Sequence, residues 1–363
     1  MASSIVSDHH LTPNNDAPQH GPRPLPMFLQ MVREETAGSP ERLAAALNGL
    51  SRYQNARRGR PRAPRPAIAR AGRASLRDYG SATSGVPVVF VPSLINPPEI
   101  LDLRGASLLR WLARHRDLRP MLVDWGDPVA GRDDQDVNRH VTELLIPLLQ
   151  ALDQQPIVVG YCLGGTIAAA AAALHRVRGL AMIASPWRFV GYGADALDNI
   201  DSLWASAEPI CRALGLVPME VLQAGFWRLD PARTVRKFER FAELAPDSGQ
   251  ARSFVTLEDW ANGGAPLTYA AGQQMFDQFY AADLPGTGRW QVAGTHIDPL
   301  ALDIPTIEFV STSDRIVPHA SAVGLADRHM TGAGHVGMVI GGRRREVLWL
   351  PLRDWIRGRV LTK

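Results

Sequence analysis

The 363-residue chain is long enough for one large α/β domain with an insertion, or for two domains. Its composition, 45% hydrophobic and 21% charged with a formal net charge of +3, is that of an ordinary soluble globular protein, and no apolar run reaches the roughly 20 residues of a membrane-spanning helix. Two cysteines, Cys162 and Cys211, are too few for a disulfide framework, so we expect a reducing cytoplasm.

The first part of the chain predicts a tail, two helices and a basic connector, with the helices and connector at residues 24–74. Residues 1–23 are polar and contain several prolines, so we expect a disordered tail. Apolar residues then recur at helical spacing up to residue 55, and Ser39 is a candidate N-cap for the second helix. The arginine- and proline-rich run at 57–73 could attract phosphates, nucleic acid or an anionic surface. Because no aromatic residues are interleaved with these arginines, a solvated connector is favoured over a nucleic-acid site.

Residues 75–184 have the pattern of the first part of an α/β core. Apolar runs separated by helical segments predict a mostly parallel sheet with helices on both faces. We expect strands at residues 67–71, 75–79, 88–92, 120–124, 156–159 and 179–184, and helices at 103–115, 134–152 and 166–174.

Residues 185–290 break this pattern, because they are rich in Trp and Phe and look mainly helical. A core-type strand resumes at 306–311, and we expect a helix near 319–326, a short strand near 329 and a last helix at 344–357. The sequence therefore predicts an α/β-hydrolase fold with a mainly helical cap, residues 185–290, inserted after the sixth strand. Residues 291–363 would form the second part of the core.

The segment Gly160-Tyr161-Cys162-Leu163-Gly164 places a cysteine between an apolar strand and an alanine-rich helix. This is the context of a nucleophile elbow, in which side chains at the two glycines would collide with neighbouring backbone. The N-terminus of the helix would favour the thiolate, and the amide of Leu163 would point at the oxyanion of acyl transfer. Taken alone, the motif is equally compatible with a buried structural cysteine.

Two further residues complete a candidate triad. In this fold the acid follows a late strand and the histidine comes last, which matches Asp314 after strand 306–311 and His335 in the glycine-rich loop 332–337. His335 would take the proton of Cys162, and Asp314 would orient and stabilise the imidazolium. A thiolate suits thioester substrates, because sulfur attacks and sulfur leaves. Each residue alone could instead be a loop histidine or a turn-capping aspartate.

The ordered series of motifs resembles that of the poly(3-hydroxyalkanoate) synthases, over about residues 75–360. Arg188 stands where the synthases usually have aspartate. The motifs lie at residues 91–97, 100–103, 123–126, 160–166, 257–260, 279–280, 314–318 and 334–337.

The resemblance implies an acyltransferase that loads 3-hydroxyacyl groups from coenzyme A thioesters onto Cys162 and polymerises them into polyhydroxyalkanoate. Asn96 matches the family's asparagine near the acyl site, where it would assist Leu163 in holding the oxyanion; a helix-capping role is the alternative. No metal or redox cofactor is implied. The implied partners are the 3-hydroxyacyl-coenzyme A, the polyester chain, and a second copy or a second synthase subunit. We expect the protein in the cytoplasm or on polyester granules.

Two other functions stay open from the sequence. A cysteine-dependent hydrolase of the same fold, either an intracellular polyhydroxyalkanoate depolymerase or an acyl-coenzyme A thioesterase, would use the same residues with water as the acceptor. A non-catalytic granule-surface protein would use the arginine-rich segment and the cap aromatics. A complete triad argues against this last function.

Overall fold

The computed structural model describes residues 20–59, 62–80 and 85–361. Within these residues the chain divides into two compact units. The smaller contains residues 20–58 and 232–255, and the larger contains residues 59–231 and 256–361 apart from the two gaps. The predicted disordered tail lies, except for its last four residues, outside the described residues.

An eight-stranded sheet forms the centre of the larger unit. Its order across the sheet is β1-β2-β4-β3-β5-β6-β7-β8, and only the β1–β2 and β2–β4 pairs are antiparallel. This mostly parallel sheet confirms the predicted α/β-hydrolase fold. In chain order the strands are β1 Ala67–Ala71, β2 Ala74–Asp78, β3 Val86–Val91, β4 Leu118–Asp124, β5 Ile157–Tyr161, β6 Gly179–Ile183, β7 Thr306–Ser311 and β8 Arg328–Thr331.

Helices of the larger unit cover the two faces of this sheet, and further helices form much of the segment that follows β6. Three of them, at residues 137–150, 269–281 and 345–360, include turns with π-type hydrogen bonding. No helix of the described residues is long and apolar enough to span a membrane. The helices are α1 Leu25–Glu35, α2 Pro40–Gln54, α3 Leu108–Leu112, α4 137–150, α5 Leu163–Leu174, α6 Ala194–Leu214, α7 Met219–Leu229, α8 Pro231–Glu243, α9 Gly249–Ala261, α10 269–281, α11 His335–Ile340 and α12 345–360.

The two faces of the sheet are covered by separate buried clusters. Because side chains alternate along a strand, Val89 and Val91 of β3 face the cluster that contains α4 and α5. Val88 and Phe90 face the cluster that contains α3 and α12. Strands that are apolar on both faces are therefore explained by helices on both sides, as predicted.

Two predicted helices are wrong in part. The predicted helix at 103–115 begins instead as a two-residue β-ladder, Asp102–Leu103 with Ala106–Ser107, whose turn contains Gly105 at φ +84°. Only α3 is helical there, with Ser107 as its N-cap. The predicted helix at 319–326 is a single 3₁₀ turn, His319–Ser321, because the amides of residues 323–325 bind the carboxylate of Glu308 and have no helical partner.

The smaller unit has an aromatic core of its own. α2 begins as predicted, with the Ser39 hydroxyl accepting the Arg42 amide. The rings of Phe28, Tyr53 and Phe254 each contact Phe238 edge-on, at centroid distances of 4.9, 6.0 and 5.5 Å. Residues 232–255, which the sequence assigns to the cap, thus group with the N-terminal helices and not with the rest of residues 185–290.

Arg58 of the arginine-rich run donates to the carbonyl of Tyr53 in the smaller unit, and Arg60 and Pro61 lie outside the described residues. Three later arginines of the run make internal contacts in the larger unit. Arg62 forms an ion pair with Asp102 at 2.9 Å. The Arg65 guanidinium lies over the ring of Tyr79, and Arg73 is buried against His140. These contacts favour the connector interpretation over a nucleic-acid site.

Candidate active site

Cys162 lies at the sharp turn from β5 into α5. Its backbone is at φ +56° and ψ −134°, a strained conformation for a residue other than glycine. The Cys162 amide donates to the carbonyl of Ile183 at 2.9 Å, and the Cys162 carbonyl accepts from the amide of Gly165 at 2.9 Å. The strained turn is thus fixed from both sides, with the cysteine at the N-terminus of a 12-residue helix.

The elbow glycines are required by close backbone contacts. A Cβ atom at Gly160 would overlap the backbone of Gly165, and one at Gly164 would overlap the carbonyl oxygen of Val91 in the neighbouring strand. These overlaps confirm the collision that the sequence predicts for the two positions. The helix can therefore approach β3 closely enough to seat the elbow over the sheet.

Asp314 and His335 form a buried pair. His335 Nδ1 and Asp314 Oδ2 are 2.7 Å apart, and Asp314 Oδ1 accepts the amides of Ile316 and Val317 at 2.8 and 3.0 Å. The side chain of Asp314 is fully buried and that of His335 is 7% exposed. His335 is the first residue of α11, and not a loop residue as the sequence predicts. The carboxylate is thus fixed in one orientation, facing the imidazole.

The same pair is coupled to the cysteine. Burial disfavours the imidazolium of His335, but the charges of Asp314 and Cys162 and hydrogen bonds to both side chains outweigh it, so that the pKa of His335 is raised to about 10. The imidazole therefore lies between the carboxylate and the sulfur. The structure brings Cys162, His335 and Asp314 together.

Tyr161 supports this histidine and was not found from the sequence. Its ring lies 5.0 Å from the imidazole of His335, and its hydroxyl donates to the His335 carbonyl at 3.4 Å. Burial raises the pKa of Tyr161 well above its usual value, so it stays a hydrogen-bond donor. Its position directly before Cys162 is the only signal in the sequence that could have indicated Tyr161.

The two predicted oxyanion residues lie in different surroundings. Leu163 is the first residue of α5, where backbone amides have no intrahelical partner, and it directly follows Cys162. The Asn96 side chain instead donates to the Ala261 carbonyl at 3.5 Å and lines a cavity of about 400 Å³ with residues that include Ser93 and His140. Asn96 is not the N-cap of the short helix that follows it, because Pro97 occupies that position.

An aromatic cluster from the segment after β6 and from α10 adjoins the cysteine. Phe189 and Tyr192 each contact the ring of Tyr280, at 5.0 and 5.2 Å between centroids. The hydroxyls of Tyr192 and Tyr280 are hydrogen-bonded to each other, and both interact electrostatically with Cys162. Burial raises the pKa of Tyr280 to about 12 and raises the pKa of Tyr192 well above its usual value, so both phenols stay protonated. Tyr192 was missed by sequence reasoning because its neighbours show no motif.

The segment after β6 is fixed at two points. The amides of Trp187 and Arg188 both donate to the carbonyl of Ser321, in the loop that follows Asp314. The amide of Phe189 donates to the carboxylate of Asp283 at 2.8 Å. The backbone of residues 187–189 thus links the aromatic cluster to the loop that contains Ser321.

Within residues 20–59, 62–80 and 85–361, the second cysteine and the potential metal ligands offer little further reactive chemistry. Cys211 lies in α6 and is 1% exposed, and burial raises the pKa of its thiol. No group of three or more His, Cys, Asp or Glu side chains in those ranges is arranged to hold a metal ion.

Comparison with known proteins finds one family model, several curated relatives and solved structures that are similar to this chain. The family described as alpha/beta hydrolase fold matches residues 130–211. A "Poly(3-hydroxyalkanoate) polymerase subunit PhaC" of Haloferax mediterranei is 26% identical and covers 93% of this chain and 73% of its own. A protein of the same name from Haloarcula marismortui is 27% identical over 74% of this chain, which spans 60% of that relative's length. A solved structure of a thermophilic esterase from Thermogutta terrifontis matches 82% of this chain and 99% of its own, with 17% identity and a TM-score of 0.47.

Proposed function

We propose that this chain, which resembles the poly(3-hydroxyalkanoate) synthase family over most of its length, polymerises 3-hydroxyacyl-coenzyme A into polyhydroxyalkanoate through an acyl group on Cys162. The observation that supports this most is the contact of His335 with Asp314 on one side and Cys162 on the other. The curated relatives named as polymerase subunits support the substrate class.

The first step loads the enzyme. The Cys162 sulfur, deprotonated by His335, attacks the thioester carbonyl of 3-hydroxyacyl-coenzyme A, and the carbonyl oxygen becomes negative. The amide of Leu163 is the donor best placed to stabilise this oxyanion, because it follows Cys162 at the helix N-terminus. The carbonyl re-forms as the coenzyme A thiolate leaves with the proton from His335, which yields the acyl-cysteine.

The second step transfers the acyl group. His335 takes the proton of a 3-hydroxyl at the end of a growing chain, and that oxygen attacks the acyl-cysteine carbonyl. The carbon–sulfur bond breaks, the proton passes to the Cys162 sulfur, and the chain is longer by one ester. Asp314 stabilises the imidazolium in both steps because its carboxylate is buried and already oriented by two amides.

The aromatic cluster supports transfer to a hydroxyl over transfer to water. Tyr192 and Tyr280 interact electrostatically with Cys162, and their phenol hydroxyls bind each other. Phe189 packs edge-on against Tyr280. Excluding water from an acyl-enzyme prevents its hydrolysis. The cysteine-dependent hydrolase remains the competing function, because it would need only an open path for water.

The other expectations from the resemblance are part of the proposal. Coenzyme A enters only as the thioester substrate, with no metal or redox cofactor. The word "subunit" in the names of the relatives supports a second copy or a second subunit as partner. We propose the cytoplasm or the surface of polyester granules as the location.

The proposal is tested by incubating the purified chain with 3-hydroxybutyryl-coenzyme A and measuring free coenzyme A with a thiol reagent. Cys162→Ala should abolish release, whereas Cys211→Ala, at the buried second cysteine, should retain it. Polymer in the pellet supports the synthase. Free 3-hydroxybutyrate in solution supports the hydrolase, and no release by the folded wild type supports a non-catalytic protein.

A further inference from the structure

The loop that follows strand β3 is held by an indole at each end. It runs from Pro92 to Pro97, and because neither proline has a backbone N–H, each end can form backbone hydrogen bonds only through its carbonyl. Trp125, directly after β4, donates its indole N–H to the carbonyl of Pro92 at 3.1 Å. Trp260, near the end of α9, donates its indole N–H to the carbonyl of Pro97 at 2.8 Å. Both tryptophans lie in motifs that resemble those of the synthases, and the triad gives neither of them a role.

Two further contacts hold the same loop against the end of α9 and the segment that follows it. The Asn96 side chain donates to the carbonyl of Ala261 at 3.5 Å. Gly264 passes so close that a Cβ atom there would lie 3.0 Å from the carbonyl oxygen of Ile95, and its φ of +128° is one that favours glycine. All of these residues belong to the larger unit. The loop and the end of α9 are thus connected at several points, and the Asn96 side chain is one of the links.

The start of this loop lies against the first turn of the nucleophile helix α5. A Cβ atom at Gly164, two residues after the cysteine, would lie 2.5 Å from the carbonyl oxygen of Pro92. In the part of the chain that the structure describes, the backbone amides of Ser93 and Leu94 donate to no acceptor, whereas the amide of Ile95 donates to the Ser93 hydroxyl at 3.2 Å. Two backbone donors are therefore free in a loop that contacts the helix N-terminus at which the oxyanion would form.

We propose that Trp125 and Trp260 are positioning residues for acyl transfer, which hold this loop so that one of its free amides joins the amide of Leu163 in binding the oxyanion. This inference rests on the proposed function, since the oxyanion forms when Cys162 attacks the thioester. A donor stabilises a developing negative charge best when it is already oriented before that charge appears. Each indole acts through the loop carbonyl that it binds, and not on the reacting atoms. Asn96 then links the loop to α9 and is not itself an oxyanion donor.

The test uses Trp125→Phe and Trp260→Phe, each of which removes one indole N–H and keeps an aromatic ring. Initial rates are measured for coenzyme A release from 3-hydroxybutyryl-coenzyme A and for p-nitrophenolate release from p-nitrophenyl butyrate. We expect kcat of each variant to fall at least tenfold while KM stays within threefold of wild type, because the lost stabilisation belongs to the transition state. Trp355→Phe is the matched control. That indole is buried in the larger unit and its N–H binds no acceptor among the described residues, so its loss should leave kcat unchanged.

Alkylation of Cys162 by iodoacetamide separates an oxyanion effect from general damage to the site. The sulfur displaces iodide at a saturated carbon and no oxyanion forms, so both variants should be alkylated at a rate within twofold of wild type. Thermal unfolding checks that each variant is folded. Alkylation that slows in parallel with acyl transfer would overturn the proposal, because it would indicate a displaced thiol or imidazole. An unchanged kcat in either variant would overturn the role of that tryptophan.

Asn96→Ala should lower kcat less than Trp260→Phe does, because a contact of 3.5 Å is weak. A larger loss in Asn96→Ala would assign the oxyanion to that side chain and overturn the proposal. The proposed function can fail separately. If the wild type releases soluble 3-hydroxybutyrate, or reacts only with the p-nitrophenyl ester, polymerisation is wrong, and slowed release in the two tryptophan variants would still support the loop. A folded wild type that is inactive with both substrates would overturn both proposals.

Discussion

The Nδ1 atom of His335 lies 2.7 Å from Oδ2 of Asp314, inside a site where the carboxylate is fully buried. The other carboxylate oxygen accepts two backbone amides, so the acid cannot rotate away from the imidazole without losing them. This single contact determines which ring nitrogen faces Cys162, because the nitrogen bonded to Asp314 must hold a proton. It also explains why the pKa of His335 is raised although the ring is buried.

Asp314→Asn should lower the rate of coenzyme A release by about 10³- to 10⁴-fold, since it removes the group that fixes the imidazole tautomer. The variant keeps the shape of the side chain and should remain folded. The measurement is the initial rate with 3-hydroxybutyryl-coenzyme A. An exposed replacement, Asp153→Asn, is the control and should leave the rate unchanged. A rate within threefold of wild type in Asp314→Asn would contradict the role of this acid.

The stability of the protein should depend on pH through the same pair. The pKa of His335 is raised in the folded state, to about 10, above the value of about 6.5 in an unfolded chain. The stabilisation is therefore fully present below about pH 6.5 and is lost as the pH rises through about 10. The difference in free energy of unfolding between wild type and Asp314→Asn, from denaturant titrations at several pH values, should shrink over this range. A difference that grows with pH would show that the imidazolium is not stabilised by Asp314.

Cys162 should react with iodoacetamide at least about 100 times faster than Cys211 in the native protein. Cys162 lies at a helix N-terminus beside His335, whereas burial raises the pKa of the Cys211 thiol and only 1% of that residue is exposed. Mass spectrometry after a short exposure should find one label, on the peptide that contains Cys162. In Cys162→Ala the native protein should stay unlabelled, and unfolding in urea should then expose Cys211. Labelling of Cys211 first would place the reactive thiol elsewhere.

The sheet and the elbow could be predicted from the sequence because their signals are local. β7 follows the predicted bounds, with Ile307, Phe309 and Val310 buried. The glycines at 160 and 164 reflect close contacts with the backbone of α5 and of the segment at Val91. The chain order of nucleophile, acid and histidine then predicted which side chains meet.

Interactions between distant residues explain the failures. A helix near 319–326 is prevented by Glu308, whose carboxylate binds three amides of that segment from a neighbouring strand. Residues 232–255 join the N-terminal helices through aromatic contacts to Phe28 and Tyr53 that no local pattern reveals. Tyr192 lies near Cys162 because of the way the segment after β6 folds. The sequence shows only that this segment is rich in aromatic residues.

Gly164→Ala should destabilise the elbow. The added Cβ would overlap the carbonyl oxygens of Val91 and Pro92, and because both are backbone atoms, β3 or α5 must shift. We expect the free energy of unfolding to fall by about 1–3 kcal/mol and coenzyme A release to fall at least tenfold. In Gly358→Ala, at an exposed position of α12 with open space around it, the free energy of unfolding should instead rise by about 0.5–1 kcal/mol. Similar effects of the two replacements would argue against a close approach at the elbow.

Glu308→Gln should destabilise the protein more than its conservative chemistry suggests. Glu308 is 2% exposed and accepts the amides of Val323, Gly324 and Leu325 as well as the guanidinium of Arg328. A carboxamide has one acceptor oxygen, so its NH₂ group would face donors, and the guanidinium would lose its counter-charge.

We expect Glu308→Gln to lower the free energy of unfolding by about 3 kcal/mol, measured in urea at neutral pH. Glu346→Gln, in the exposed pair with Arg343, is the matched control and should change it by less than about 1 kcal/mol. Coenzyme A release should also fall in Glu308→Gln, because the loop that Glu308 orders contacts the segment after β6 through Ser321. Full activity together with lowered stability would show that Glu308 orders its own loop and does not contribute to coenzyme A release.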